Sequence, residues 1–409
     1  MSSICLYFQV HQPLRIKKYR IFDVGNDHNY FEDFSDTNLN NRKVLEKVSQ
    51  KSYIPANTIF LELLKKYPEF RLAFSFSGVL LEQLAKFTPQ VLDSFKKLID
   101  TGRVEVLSET YYHSLAFFYN LSEFESQVEL HKDLIKKLFG IKPKVFRNTE
   151  LAYNNDLAKW ADKYGYSAIL AEGWDGILGW KSPNFVYKPV DTRNIKLLLK
   201  NYKLSDDVAF RFSEKRWSEW PLTAEKFASW INAFNGNGQV INLFMDYETF
   251  GEHQWKEDGI FEFLRNFPKE VLKFTDLNFV TPSEAVKKYD ALDFIDVPSI
   301  VTWADTERDL SAWTGNAIQG SAISCIYKIG DKILATGDAK LIEDWRKLQT
   351  SDHYYYMCTK WFADGDVHKY FNPYESPYDA YISFMNAAND LKIRVKAHQR
   401  EDRPQKNLK

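Results

Sequence analysis

The stretch Ile4-Cys5-Leu6-Tyr7-Phe8-Gln9-Val10-His11 decides the fold, because its two faces differ. A β-strand sends successive side chains to opposite sides, so Ile4, Leu6, Phe8 and Val10 share one face and Cys5, Tyr7, Gln9 and His11 the other. The first set suits a covering layer of helices. The second is too polar for that, but it suits the lumen of a closed βα barrel, which leads to the C-terminal rim where active sites form. His11 is then expected at the rim, followed by Gln12 and Pro13.

Outward from this strand, further strand-like runs recur at 71–76, 103–108, 144–149, 167–171, 195–200 and 239–247, with helical spacing between them, as at 56–67 and 124–138. Strands alternating with helices are the signature of parallel βα units, giving a barrel or a wound sheet. From about residue 292 the strand signals fade and helical patterns at 321–333, 338–348 and 378–395 take over. The reading is α/β: a catalytic barrel over 1–291, a helical C-terminal region over 292–397, and a polar, frayed tail over 398–409.

The same alternation sorts the other strand ends. Val240, Asn242, Phe244, Asp246 and Glu248 fall on one face, Glu105, Leu107 and Glu109 on another, and Phe146, Asn148 and Glu150 on a third. His11, Glu109, Glu150 and Asp246 are thus expected to converge on one rim. Two carboxyl groups in an aromatic-walled cleft suit glycoside hydrolysis, one acting as nucleophile or base and the other as proton donor.

Competing chemistries lack their motifs. None of the eight histidines sits in HxxxH or HExxH, no Gly-rich loop opens a helix as a phosphate cradle, and no GxSxG elbow occurs. No metal and no cofactor are expected. A net charge of −1 gives no electrostatic footprint for nucleic acid or an anionic membrane surface. Cys5, Cys325 and Cys358 form neither a zinc pattern nor a disulfide framework, the amino terminus has no leader pattern, and no run of about 18 apolar residues occurs, so a cytoplasmic protein is expected. The 31 Phe, 23 Tyr and 11 Trp can fill a core or present flat faces to a ligand. Trp174 and Trp180, in the loop AEGWDGILGW, are placed to act as loop-borne subsites.

Five blocks in order carry a family resemblance: HQP (11–13), GRVEVLSETYYHSL (102–115), FRNTELAYN (146–154), MDYETFGEH (245–253) and WADTERDLSAWTGNAIQ (303–319). In these the chain resembles glycoside hydrolase family 57, in its α-amylase-type branch. The resemblance implies an incomplete seven-stranded (β/α) barrel followed by a helical region that closes the active site, and a retaining mechanism. Carried over by motif, it implies Glu150 as nucleophile and Asp246 as general acid/base, with carboxyl groups about 5 to 6 Å apart. It further implies that His11, Glu105, Glu248, Trp303, Asp309 and Trp313 hold the sugar; Glu105 and Glu109 share a face, so either could reach it. One departure is Arg147, where some branches carry a tryptophan. The implied activity is cleavage of α-1,4 bonds in glycogen, starch or maltodextrins. The alternatives are a 4-α-glucanotransferase using the same carboxylates, or a glucan-binding homologue with little turnover.

Overall fold

The computed structural model describes residues 2–35, 37–360 and 367–401. Its strands, in chain order, are β1 (Ser2–Val10), β2 (Leu72–Phe76), β3 (Val104–Val106), β4 (Val145–Arg147), β5 (Ala168–Glu172), β6 (Lys188–Pro189), β7 (Lys196–Lys200), β8 (Val240–Asp246), β9 (Leu277–Val280) and β10 (Phe294–Ile295). β6 and β10 pair with each other in a separate two-stranded sheet. All seven expected runs form strands, and their parallel pairing gives a curled βα barrel, as the alternation of elements requires.

Two ladders make up its wall: β3-β2-β1-β8 and β4-β5-β7. They join at two thin seams. Ser108 bridges to Phe146 beyond the end of β3, and the N–H of Asn201, just after β7, donates to the carbonyl of Asn242 within β8 at 2.9 Å. Seven strands thus form a curled parallel wall of two full ladders that meet only at these seams, as in an incomplete barrel. β9 was not anticipated. It pairs with Ser2–Cys5 of β1, whereas β2 pairs with Tyr7–Val10, so two strands divide one edge of β1.

The strand faces sort as alternation demands. Outward, Phe8 and Phe74 pack with Phe60, Phe95 and Tyr247 in an aromatic layer beneath helices Ile54–Lys66 and Pro89–Ile99, with ring centroids 5.1 to 6.1 Å apart. Inward, Cys5, Tyr7, Ala73, Leu107, Val145, Leu170, Leu198 and Phe244 fill the lumen. The heavy Phe content is therefore mostly core. Burying such rings removes the largest apolar areas a chain has to offer.

β4 departs from the expected orientation. Phe146 faces outward, its ring 5.0 Å from Trp160 and 5.2 Å from Tyr166, so Val145 and Arg147 are the residues that face the lumen. The apolar ring takes the helix-covered side, and Arg147 is tolerated inside because Glu109 lies opposite it.

The chain divides into two compact units. The first comprises residues 1–12, 45–110 and 128–303 and contains the barrel; the second comprises 13–44, 111–127 and 304–409. The second unit is mainly helical, and its longest helix is Pro377–Glu401, so His398 to Glu401 continue that helix. The remainder of the expected tail, 402–409, lies outside the described residues. Asp390 on this helix accepts from the Gly25 N–H at 2.7 Å and the Tyr30 hydroxyl at 2.6 Å, which ties segment 13–44 to the unit. Among the described residues no helix is long and apolar enough to cross a membrane.

The barrel is tight where β5 and β7 end. A Cβ added at Gly173 would lie 2.2 Å from the Lys200 carbonyl oxygen, a backbone atom that cannot swing aside. Gly173→Ala is expected to cost about 1 to 3 kcal/mol in denaturant unfolding, the usual range for overpacking. A cost under about 0.5 kcal/mol would show that the two strand ends are not held together as described.

Candidate active site

The inward positions at the C-terminal strand ends form a nearly continuous polar layer: Gln9 and His11, Ser75 and Ser77, Glu109, Arg147, Glu172, Lys200 and Asp246. Most buried polar groups are partnered by other polar groups. Gln9 shows how. Its Oε1 accepts from the Tyr7 hydroxyl at 2.9 Å and the Ser75 hydroxyl at 2.7 Å, and its Nε2 donates to Glu109 at 3.1 Å. The Glu109 backbone N–H donates to His131 Nδ1 at 3.4 Å, leaving Nε2 to carry the proton toward the Phe76 carbonyl at 2.8 Å. Burial depresses the His131 pKa, in keeping with a neutral ring.

Glu150 reaches the site by a backbone reversal. It follows β4 in a single 3₁₀ turn, Thr149–Leu151, in which Glu150 has φ of 58° and Leu151 φ of 50°. Non-glycine residues in the left-handed region cost about 1 kcal/mol or more each, and such strain gathers at functional sites. The antiparallel bridge between Tyr153 and Val301, with N–H to O distances of 2.9 and 3.0 Å, brings segment 301–303 alongside. Trp303 then donates twice to Glu150: its backbone N–H to the Glu150 carbonyl at 3.3 Å, and its indole Nε1–H to Oε2 at 2.9 Å.

Asp246 closes β8, and its register partner on β1 is Gln9. Two residues on, Glu248 is buried and accepts a short hydrogen bond from the Tyr53 hydroxyl, with Gln12 as a further partner. Burial first, and then the charge of Asp246, push its pKa up to about 8. It is therefore protonated over most of the neutral range and can donate as well as accept. His11 Nδ1 lies 2.6 Å from the Ser77 hydroxyl.

Glu105 sits lower in the lumen. It accepts from the backbone N–H of Ser283 at 2.8 Å and from the Ser283 hydroxyl, in the first turn of helix Pro282–Lys288. Its partners make it an anchor for that helix, and Glu109 is the member of the pair that joins the network of Gln9 and Arg147. Of the tryptophans, Trp303 joins Glu150. Trp174 lies over Gly176, where a Cβ would meet its ring at 2.5 Å, and Trp180 is 89% exposed. In the second unit, Asp309 caps the Ser311 N–H at 2.8 Å, and Trp313 is 1% exposed, beside Tyr355. Arg147, Lys200, Gln9 and Tyr53 were not anticipated as site groups. For Arg147, Lys200 and Gln9 the available signal was a polar residue at or next to the end of a largely apolar strand; Tyr53, on a helix, offered none.

The barrel, and a rim carrying carboxyl groups from several strands, define an enzyme of the βα-barrel class. The model of glycosyl hydrolase family 57 matches residues 5–298, and the chain belongs to that family. A Methanocaldococcus jannaschii protein named "Putative alpha-amylase" is 45% identical over 404 residues, covering 96% of this chain and 85% of its own. A 4-alpha-glucanotransferase from Thermococcus litoralis is 24% identical over 66% of this chain, which spans only 40% of that relative's length. Among solved structures, a family 57 branching enzyme from Thermococcus kodakaraensis superposes with a TM-score of 0.68 at 15% identity, over 98% of this chain and 94% of its own, a likeness of fold.

The raised pKa of Glu248 has a signed consequence. Unfolded, its carboxyl ionises near pH 4.5; folded, it stays protonated to about pH 8, so the native state loses relative stability as pH rises through that window. Glu248→Gln removes this term. The stability of the variant relative to the parent is expected to climb between pH 4.5 and 8 and to level off above, as read from denaturation midpoints across that range. A difference independent of pH would mean that Glu248 is ionised in the folded protein.

Proposed function

We propose that the protein is a retaining glycosidase acting on α-1,4-glucans, of α-amylase type, with Glu150 as nucleophile and Asp246 as general acid/base. The observation that carries the reading is the treatment of Glu150: a strained left-handed backbone turns its carboxyl toward the indole N–H of Trp303, which holds one oxygen. A carboxylate whose orientation is fixed in this way is poised for attack on an anomeric carbon. Asp246, from the opposite part of the strand order, would protonate the departing glycosidic oxygen and later take a proton from the attacking water. His11 and Glu248 flank Asp246 in sequence or register and would hold the sugar hydroxyls, with Trp303, Asp309 and Trp313 as further substrate-binding candidates.

The names of the relatives support an α-glucan as substrate. The name of the Thermococcus litoralis relative keeps transfer to a sugar acceptor as a second reading, since the same two carboxyl groups serve both reactions. Incubation with maltoheptaose followed by product separation distinguishes them: shorter sugars alone for a hydrolase, longer ones as well for a transferase, and no change for a glucan-binding protein. Glu150→Ala is expected to lower kcat by at least ~10³-fold, about 4 kcal/mol of barrier. With α-glucosyl fluoride and azide, the same variant should yield the β-configured glucosyl azide. A loss below tenfold, or no azide product, would remove Glu150 as nucleophile.

A further inference from the structure

Trp303 holds Glu150, and two cations hold Trp303. The Arg147 guanidinium carbon lies 5.0 Å from the indole centroid and Lys200 Nζ lies 5.6 Å from it. The two come from separate strands: Arg147 is the last residue of β4 and Lys200 the last of β7. Arg147 is 0% exposed, yet none of its three side-chain nitrogens has a hydrogen-bond acceptor among the described residues. Its charged contact is Glu109 at 4.0 Å, the outer limit for an ion pair. Burying a guanidinium this way costs stability that an apolar side chain of similar volume would not. Lys200 is better balanced, with Asp206 at 2.9 Å and Glu172 at 3.6 Å.

A cation over an aromatic ring is attracted by its π-density and draws that density away from the ring nitrogen. The N–H becomes a stronger donor. Here it points at Oε2 of Glu150. We propose that Arg147 and Lys200 are positioning residues that act through Trp303, strengthening and aiming its indole N–H so that the Glu150 carboxylate is held in one orientation.

The inference rests on the reading of Glu150 as nucleophile for its catalytic consequence, though the clamp itself does not depend on it. In the second half-reaction a water oxygen bonds to the anomeric carbon and passes its proton to Asp246. The bond from that carbon to Glu150 breaks, and its electron pair returns to the carboxylate facing the indole N–H. A stronger donor stabilises the charge that develops there.

The test uses the full chain in four variants: Arg147→Met, Lys200→Met, Trp303→Phe and Arg147→Lys. In ¹⁵N-labelled protein the Trp303 indole N–H resonance is identified by its loss in Trp303→Phe. It is expected to move upfield by ~0.3 ppm or more in each methionine variant, and by less than half as much in Arg147→Lys, which keeps a cation. Kinetically, Arg147→Met should lower kcat about 10- to 100-fold with KM little changed. In the Trp303→Phe background the same substitution should cost under threefold, because the path through the indole is already gone.

Equal losses in both backgrounds, or an indole resonance unmoved in the methionine variants, would overturn the clamp. If Arg147→Met does not fold, Lys200→Met and Arg147→Lys carry both readouts. Failure of the azide assay with Glu150→Ala, together with a shifted indole resonance, would instead leave the clamp standing and remove the nucleophile assignment.

Discussion

The two-residue alternation of β1 is the constraint from which the barrel and its site follow. Ser2–Val10 is buried along its whole length and pairs with three strands, β8 along one edge and β9 and β2 in turn along the other. A strand buried on both faces cannot slip by one residue without exchanging its outward Phe8 for its inward Tyr7 and Gln9. Phe8 is locked between Phe60, Phe74 and Tyr247, and Tyr7 between Phe244 and the Ser75 hydroxyl. The register fixed by these contacts sets Gln9 opposite Asp246.

From that register the polar layer at the rim assembles by short steps, each member facing the next. Gln9 binds Glu109, Glu109 faces Arg147, Arg147 lies over Trp303, and Trp303 donates to Glu150. The members come from four separate stretches of the chain, so no single loop sets the position of the carboxyl group. Low local dielectric makes such a network strong when complete and costly when broken. The long Glu109–Arg147 contact and the guanidinium nitrogens, which have no acceptor among the described residues, are its most expensive point, and they lie beside Glu150, the residue proposed as nucleophile.

Much of this was legible in the sequence because it depended on period two. The seven strands, the outward phenylalanines, the inward Cys5, Tyr7 and Gln9, and the inward Leu107, Phe244 and Asp246 all follow from alternation. Alternation failed at β4, where counting from Phe146 to Glu150 supposes an extended chain. The real path turns through φ of 58° at Glu150, and Phe146 faces the helix layer. Glu150 thus meets Trp303 for a reason that no strand parity contains. Glu105 and Glu109 could not be separated for a related reason: they share a face but not a depth, and depth was set by Ser283 of a helix that follows the unanticipated β9.

The aromatic surplus resolves in the same way. Burial alone predicts that rings fill a core, and Phe8, Phe60, Phe74, Phe95 and Tyr247 do. What sets Trp303 apart is the company it keeps: a carboxylate at its N–H and two cations over its ring. An indole is the natural side chain for that place, since it offers a π-face to charge of one sign and a donor to charge of the other. A phenylalanine would keep the face and lose the donor; a glutamine would keep a donor and lose the face. Trp303 is therefore a coupling element between Arg147, Lys200 and Glu150, and the unfavourable burial of Arg147 makes sense only when the three are considered together.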